Sequence, residues 1–114
     1  MPRAMSFGLT ERAFVLGQKD VTRRLGWLDA REGDVYTAVR KCMGIPKGGR
    51  QEKLGALRVL NVRRERLDTI TADDVRREGF PDWTPGDFIA FFCKANKCEP
   101  TTIVTRIEFA KERE

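Results

Sequence analysis

The 114-residue sequence contains no histidine, which removes the commonest tools of hydrolytic chemistry. Without imidazole there is no Ser–His or Cys–His nucleophile pair, no acid–base shuttle near neutral pH and no histidine-ligated zinc. Cysteine is scarce too. Cys42 stands alone, Cys93 and Cys98 are separated by four residues, and three thiols cannot complete a four-thiolate zinc site, so neither metal nor cofactor is expected. An odd cysteine count argues against a disulfide framework, and Met1-Pro2-Arg3-Ala4 opens no apolar signal segment, so the expected location is the cytoplasm. No apolar run approaches the roughly 18 residues of a membrane span, so no membrane contact is expected. Any chemistry has to come from Lys, Thr, Glu, Asp, Tyr or Cys.

What remains is enough for a packed core. At 114 residues and 40% hydrophobic content the chain reads as a single domain, residues 1–114. Its formal net charge of +5 is unevenly spread. Residues 1–66 hold 15 Lys and Arg against 7 Asp and Glu, whereas residues 67–114 hold 7 against 10. A one-sided basic surface attracts phosphate-bearing partners and gains from counterion release, although a solvated basic face without a ligand gives the same count.

Met5-Ser6-Phe7-Gly8-Leu9 alternates as a strand, and a short helix capped by Thr10 should follow, with Leu9, Ala13 and Leu16 on one face and Gly17 ending it. Val35 to Val39 reads as a strand fed by the Gly33-Asp34 turn, and Leu57 to Val62 as another. Between them, residues 43–53 combine glycine, proline and mixed charge and read as a flexible basic flap. Two helices then announce their starts. Thr71 precedes Asp74 by three residues between Ile70 and Val75, and Thr84-Pro85 precedes Asp87 between Trp83 and Phe88. Phe88, Phe91, Phe92 and Ala95 share a face that reads as core. Thr102 to Phe109 closes as a strand, with a frayed tail at 110–114. This order predicts an α+β fold in which a mixed or antiparallel sheet curls into a small barrel with helices at its rim.

The densest chemical signal is Gly17-Gln18-Lys19-Asp20-Val21-Thr22-Arg23-Arg24. In an extended segment Thr22 and Arg24 point to one side, and Lys19 at the helix exit can turn toward the same cleft. An amine, a hydroxyl and a guanidinium can hold a phosphate or carbonyl oxygen, or form a nucleophile–base pair if burial neutralises the amine. The plain reading is also open: solvated basic side chains beside a strand-forming threonine.

The pattern Gly17-x-Lys19-x-x-Thr22-x-Arg24 after a short helix resembles the signature of the ASCH domains, the activating-signal-cointegrator homology family of the PUA-like superfamily. Further matches are the Gly33-Asp34 turn, Leu67-Asp68-Thr69-Ile70-Thr71, Glu78-Gly79-Phe80 and Ile107-Glu108-Phe109. The resemblance implies a small β-barrel with a cleft over one side, and compact stand-alone relatives in bacteria and phages. It also implies two kinds of function, since the family includes RNA-binding modules and small hydrolases. Members resembling the bacterial acetylcytidine amidohydrolase use a Lys-x-x-Thr pair with a distal Glu, matched by Lys19, Thr22 and Glu78. By that likeness Thr22 attacks an acyl carbon, Lys19 is its base and Glu78 orients the lysine.

Three functions are therefore expected in this order. The first is an RNA- or nucleotide-binding domain whose cleft is lined by Lys19, Thr22, Arg24 and Glu78, with Arg23, Lys47, Arg50, Lys53 and Arg58 holding phosphates and Tyr36 as a stacking ring. Trp27 and Phe80 are further rings near this surface. The second is a metal-independent hydrolase, acting on a modified nucleoside such as acetylated cytidine or on RNA itself. The third is a protein-interaction adaptor.

Overall fold

The computed structural model describes residues 3–40 and 53–112. Its strands are β1 (Ala4–Ser6), β2 (Val21–Arg24), β3 (Val35–Val39), β4 (Lys53–Arg66) and β5 (Ile103–Glu112). Its helices are α1 (Glu11–Val15), α2 (Ala72–Arg77) and α3 (Pro85–Asn96). The strands form one sheet in the order β1-β3-β4-β5-β2, with β1 and β3 parallel and the other pairings antiparallel.

The period-2 alternation of β5 sends its side chains into two separate cores. Ile107 and Phe109 join Met5, Phe14, Tyr36 and Leu57 in one; Val104 joins Leu67, Val75, Phe88 and Phe92 under α2 and α3 in the other. Helix α3 starts as its sequence demands: Pro85 opens it, Thr84 Oγ1 accepts the Asp87 N–H and Asp87 accepts the Thr84 N–H, a reciprocal capping box. In α2 Thr71 caps the Asp74 N–H at 3.1 Å, but the Asp74 carboxylate turns away from the cap toward arginines.

The expected closed barrel is not formed. β1 and β2 are the two edges, three and four residues long, and no ladder joins them among the described residues. Across the opening the Arg24 guanidinium of β2 donates to the Ser6 carbonyl of β1. The side chain bridges a gap that backbone hydrogen bonds would have sealed, and the gap becomes a cleft.

Three other expectations change. In α1 the buried residue is Phe14, while Leu9 and Leu16 are exposed, because a five-residue helix is too short for periodicity to define its inner face. The tail expected to fray continues β5 to Glu112, paired with Ala56 of β4. Trp83, placed by the sequence before the α3 cap with Phe88 after it, stacks on Phe80 at 4.1 Å and meets Phe91 at 5.2 Å. Most of the 43–53 flap, with Lys47 and Arg50, lies outside the described residues, as does Cys42.

Candidate active site

Lys19 is set in place by the exit of α1. Gly17 takes φ +75°, and the N–H groups of Gln18 and Lys19 both donate to the Ala13 carbonyl, at 2.8 and 3.1 Å. The Asp20 N–H then reaches the Arg77 carbonyl at 3.0 Å, tying this turn to the end of α2. The exit of α2 packs tightly on the body of α1 at Gly79. Its φ is +105°, and a Cβ there would lie 3.1 Å from Ala13 Cβ and 3.3 Å from Thr10 Cγ2. Glu78, the C-cap of α2, is thereby pressed against Lys19.

Both side chains are buried, at 5% exposure for Lys19 and 3% for Glu78. The Lys19 ammonium donates to Glu78 Oε1 at 2.9 Å and to the Glu78 carbonyl at 2.5 Å. Burial pushes the Lys19 ammonium below the ordinary lysine value, and Arg24 and Arg23 push the same way; the attraction of Glu78 opposes them without winning. A lysine so placed gives up its proton more readily than one in water.

This pair lies on a cleft of about 410 Å³, within the size range of small-molecule sites. Thr22, Arg23 and Arg24 of β2 also line it. The Arg24 guanidinium is 5.2 Å from the Phe7 ring centroid and 5.8 Å from that of Trp27. Phe80, Phe88, Phe91 and Phe92 form an apolar wall, so the aromatic face of α3 serves core and cleft together. Exposed Leu9 and Leu25 stand at the mouth.

Sheet register explains what lies behind the cleft. Arg23 of β2 pairs with Arg106 of β5, which pairs with Arg63 of β4, so three guanidiniums start from one row on one face. Like charges in a row have to be neutralised, and α2 with β4 supplies the carboxylates. Asp74 accepts from Arg106 at 2.8 and 3.1 Å and from Arg23 at 2.6 Å. Glu65 Oε1 takes Arg23 at 3.3 Å and Arg63 at 3.3 Å. Burial alone would raise the Asp74 carboxyl, but the hydrogen bonds from Arg106 and Arg23 hold it well below the usual carboxylate range. The sequence pointed to none of Asp74, Glu65 and Arg106 as site residues. The available signal was Asp74 one turn before Glu78, and an arginine at an inward position of the closing strand.

Other expected residues have partners within the fold, although Arg23 and Trp27 also line the cleft. Arg23 is 4% exposed and committed to Asp74, Glu65 and Glu78. Tyr36 belongs to the first core: its hydroxyl donates to Asp34 at 2.9 Å, and burial with that carboxylate pushes it up to about 12. Trp27 packs edge-on against Tyr36 at 5.2 Å and carries the Arg3 guanidinium 3.6 Å above its ring. Arg58 is exposed on β4 and paired with Glu112, and Lys53 is exposed at the start of that strand. Burial and its neighbour Cys98 push the Cys93 thiol up, away from thiolate reactivity. Among the described residues no group of three or more Cys, Asp or Glu is placed to hold a metal ion, and no helix is long and apolar enough to cross a membrane.

An open five-stranded mixed sheet flanked by short helices is consistent with a PUA-like fold. Solved structures agree. The chain is similar to an ASCH domain from Lactobacillus crispatus, with a TM-score of 0.65 at 12% identity over 96% of this chain and 78% of the other. It is also similar to a DUF984-family protein of Enterococcus faecalis, with a TM-score of 0.73 at 15% identity over 97% of this chain and 80% of that one. No protein-family model and no curated protein matches the sequence itself. At these identities the likeness is one of fold.

Proposed function

We propose that the chain is a hydrolase working through side chains alone, with Lys19, Thr22 and Glu78 as its catalytic group and an acylated planar molecule, such as a nucleoside with an acetylated ring amine, as substrate. The observation that carries this reading is the buried Lys19 ammonium, 2.9 Å from Glu78, on an open cleft that Thr22 also lines. Structural ion pairs do not need an open cleft. An amine used as a base needs one, along with the lowered proton affinity that burial gives it.

In this reading the planar ring lies against the apolar wall of Phe80 and Phe91, with its amide toward Lys19. Neutral Lys19 takes the Thr22 hydroxyl proton as Oγ1 attacks the acyl carbon, and Arg24 supplies positive charge to the developing oxyanion. The Lys19 ammonium returns that proton to the departing amine as the C–N bond breaks. Water then attacks the threonine ester as Lys19 takes its proton, and Lys19 returns that proton to Thr22 Oγ1 as the acyl–oxygen bond breaks, so that the acid leaves with Thr22 and neutral Lys19 restored. Glu78 holds the lysine side chain in register throughout.

The test is release of acetate from N4-acetylcytidine by the purified chain in the presence of EDTA. Turnover is expected, and Lys19→Ala and Thr22→Ala are each expected to abolish it, with the Thr22 variant melting close to the wild type. Turnover that survives both substitutions removes this assignment. A second reading, binding of RNA or a nucleotide without turnover, is supported by the net charge of +5 and by the Arg24 guanidinium at the cleft. It predicts binding whose affinity falls steeply with added salt.

A further inference from the structure

We propose that Arg23, on the inner wall of the cleft, is a positioning residue that divides Glu78 between itself and Lys19 and so sets how readily the lysine is deprotonated. This inference rests on the hydrolase reading of the cleft for its catalytic meaning. Its geometry stands independently of that reading.

Arg23 reaches three carboxylates at once. Its Nη2 donates to Asp74 Oδ2 at 2.6 Å and Glu65 Oε1 at 3.3 Å, and its Nη1 to Glu78 Oε2 at 3.4 Å. The other Glu78 oxygen holds Lys19 at 2.9 Å. One carboxylate therefore serves two buried cations, Arg23 anchored among three carboxylates and Lys19 held by Glu78 alone. Asp74 does not need Arg23 for its own neutralisation, because Arg106 already engages both of its oxygens at 2.8 and 3.1 Å. Arg23 Nε is buried with no hydrogen-bond partner among the described residues, a poor arrangement for a side chain kept only for stability. Its long contact to Glu78 and short contact to Asp74 are those of an arginine anchored on α2 and shared with the catalytic carboxylate.

The charged groups around Lys19 come from every neighbouring element. Glu78 faces it from the end of α2, and Arg23 and Arg24 from β2; Asp74 of α2, Glu65 of β4 and Arg106 of β5 stand behind Arg23. Arg23 and Arg24 both act to lower the lysine. Glu65 is the outermost of these carboxylates, with its side chain 17% exposed, and pulls Arg23 away from Glu78. Removing Glu65's charge releases Arg23 toward Glu78, whereas removing Arg23 leaves Glu78 to Lys19 alone.

The two changes thus predict opposite results. Lysine-selective NMR of the full chain, without substrate, is expected to show the Lys19 titration midpoint rising in Arg23→Gln and falling in Glu65→Gln, each by about half a pH unit or more. A merely structural arginine would alter the melt in both variants without splitting the midpoints. Unmoved midpoints, or shifts in the same direction, overturn the proposal. Should Arg23→Gln fail to fold, Glu65→Gln decides alone, a fall supporting the proposal and no change refuting it. Split midpoints without turnover on acetylcytidine would uphold Arg23's role and reject the hydrolase.

Discussion

Asp74, in the first turn of α2, and Glu78, at its C-cap, stand one turn apart; both are buried, and Arg23 reaches both. Their remaining partners differ. Asp74 is closed in by Arg106, which always carries its charge, so the carboxylate stays charged and the group serves as an anchor. Glu78 faces Lys19, whose proton burial makes easier to lose, and beyond Lys19 the structure opens onto the cleft. The interior end of this network is built to keep its charges, and the end on the cleft is built so that one of them can change. An arginine in place of Lys19 would fill similar space but could not accept a proton, which is why the residue type matters more than the ion pair.

This contrast can be broken at either end. The largest effect should come from Asp74→Ala, which strands two buried guanidiniums and is expected to cost about 3–5 kcal/mol in denaturant unfolding. The pH dependence follows from the same group. Because its folded carboxyl lies below the ordinary 3.8, its contribution to stability is fully present above that value and is lost as pH falls through the lower folded value. Asp74→Asn should therefore lose less stability than the wild type on acidification below about pH 4. At the cleft end Lys19→Met should reduce turnover by roughly 10²–10⁴-fold, with a smaller loss of stability than Asp74→Ala because Arg23 still pairs with the Glu78 left behind.

The joint between the ends should be sensitive too. Gly79→Ala forces a side chain onto φ +105° and against Ala13, at an expected cost of about 1–3 kcal/mol with weakened turnover as Glu78 is displaced. Arg58→Ala, which breaks an exposed pair with Glu112, should cost under about 1 kcal/mol and leave turnover intact.

Much of this was legible in the sequence wherever the signal is local. The Thr84-Pro85-Gly86-Asp87 cap and the Val35 to Val39 strand follow from residues that touch their own neighbours in the chain. Lys19 and Glu78 were paired in advance only because a motif carried both; nothing local predicts a contact across 59 positions. The ion network was invisible for that reason. It depends on the register that sets Arg23 beside Arg106, and on a helix packed over that row. Arg23 looked like a phosphate ligand because an arginine in a basic run is usually solvated, and Tyr36 like a stacking ring because its burial is decided by β1 and β4. Strand edges misled in another way. β1 and β2 promised a closed sheet by their number and order, but their shortness left the opening on which the candidate site depends.

The central claim is that Lys19 is a base waiting at an open cleft, and its own titration tests this most directly. Lysine-selective NMR of the wild-type chain, followed from neutral pH upward, should show one ammonium whose midpoint lies clearly below the ordinary 10.5 and whose signal is lost in Lys19→Met. If every lysine titrates at 10.5 or above, Lys19 is a permanent partner of Glu78, and the cleft is a binding site without a base.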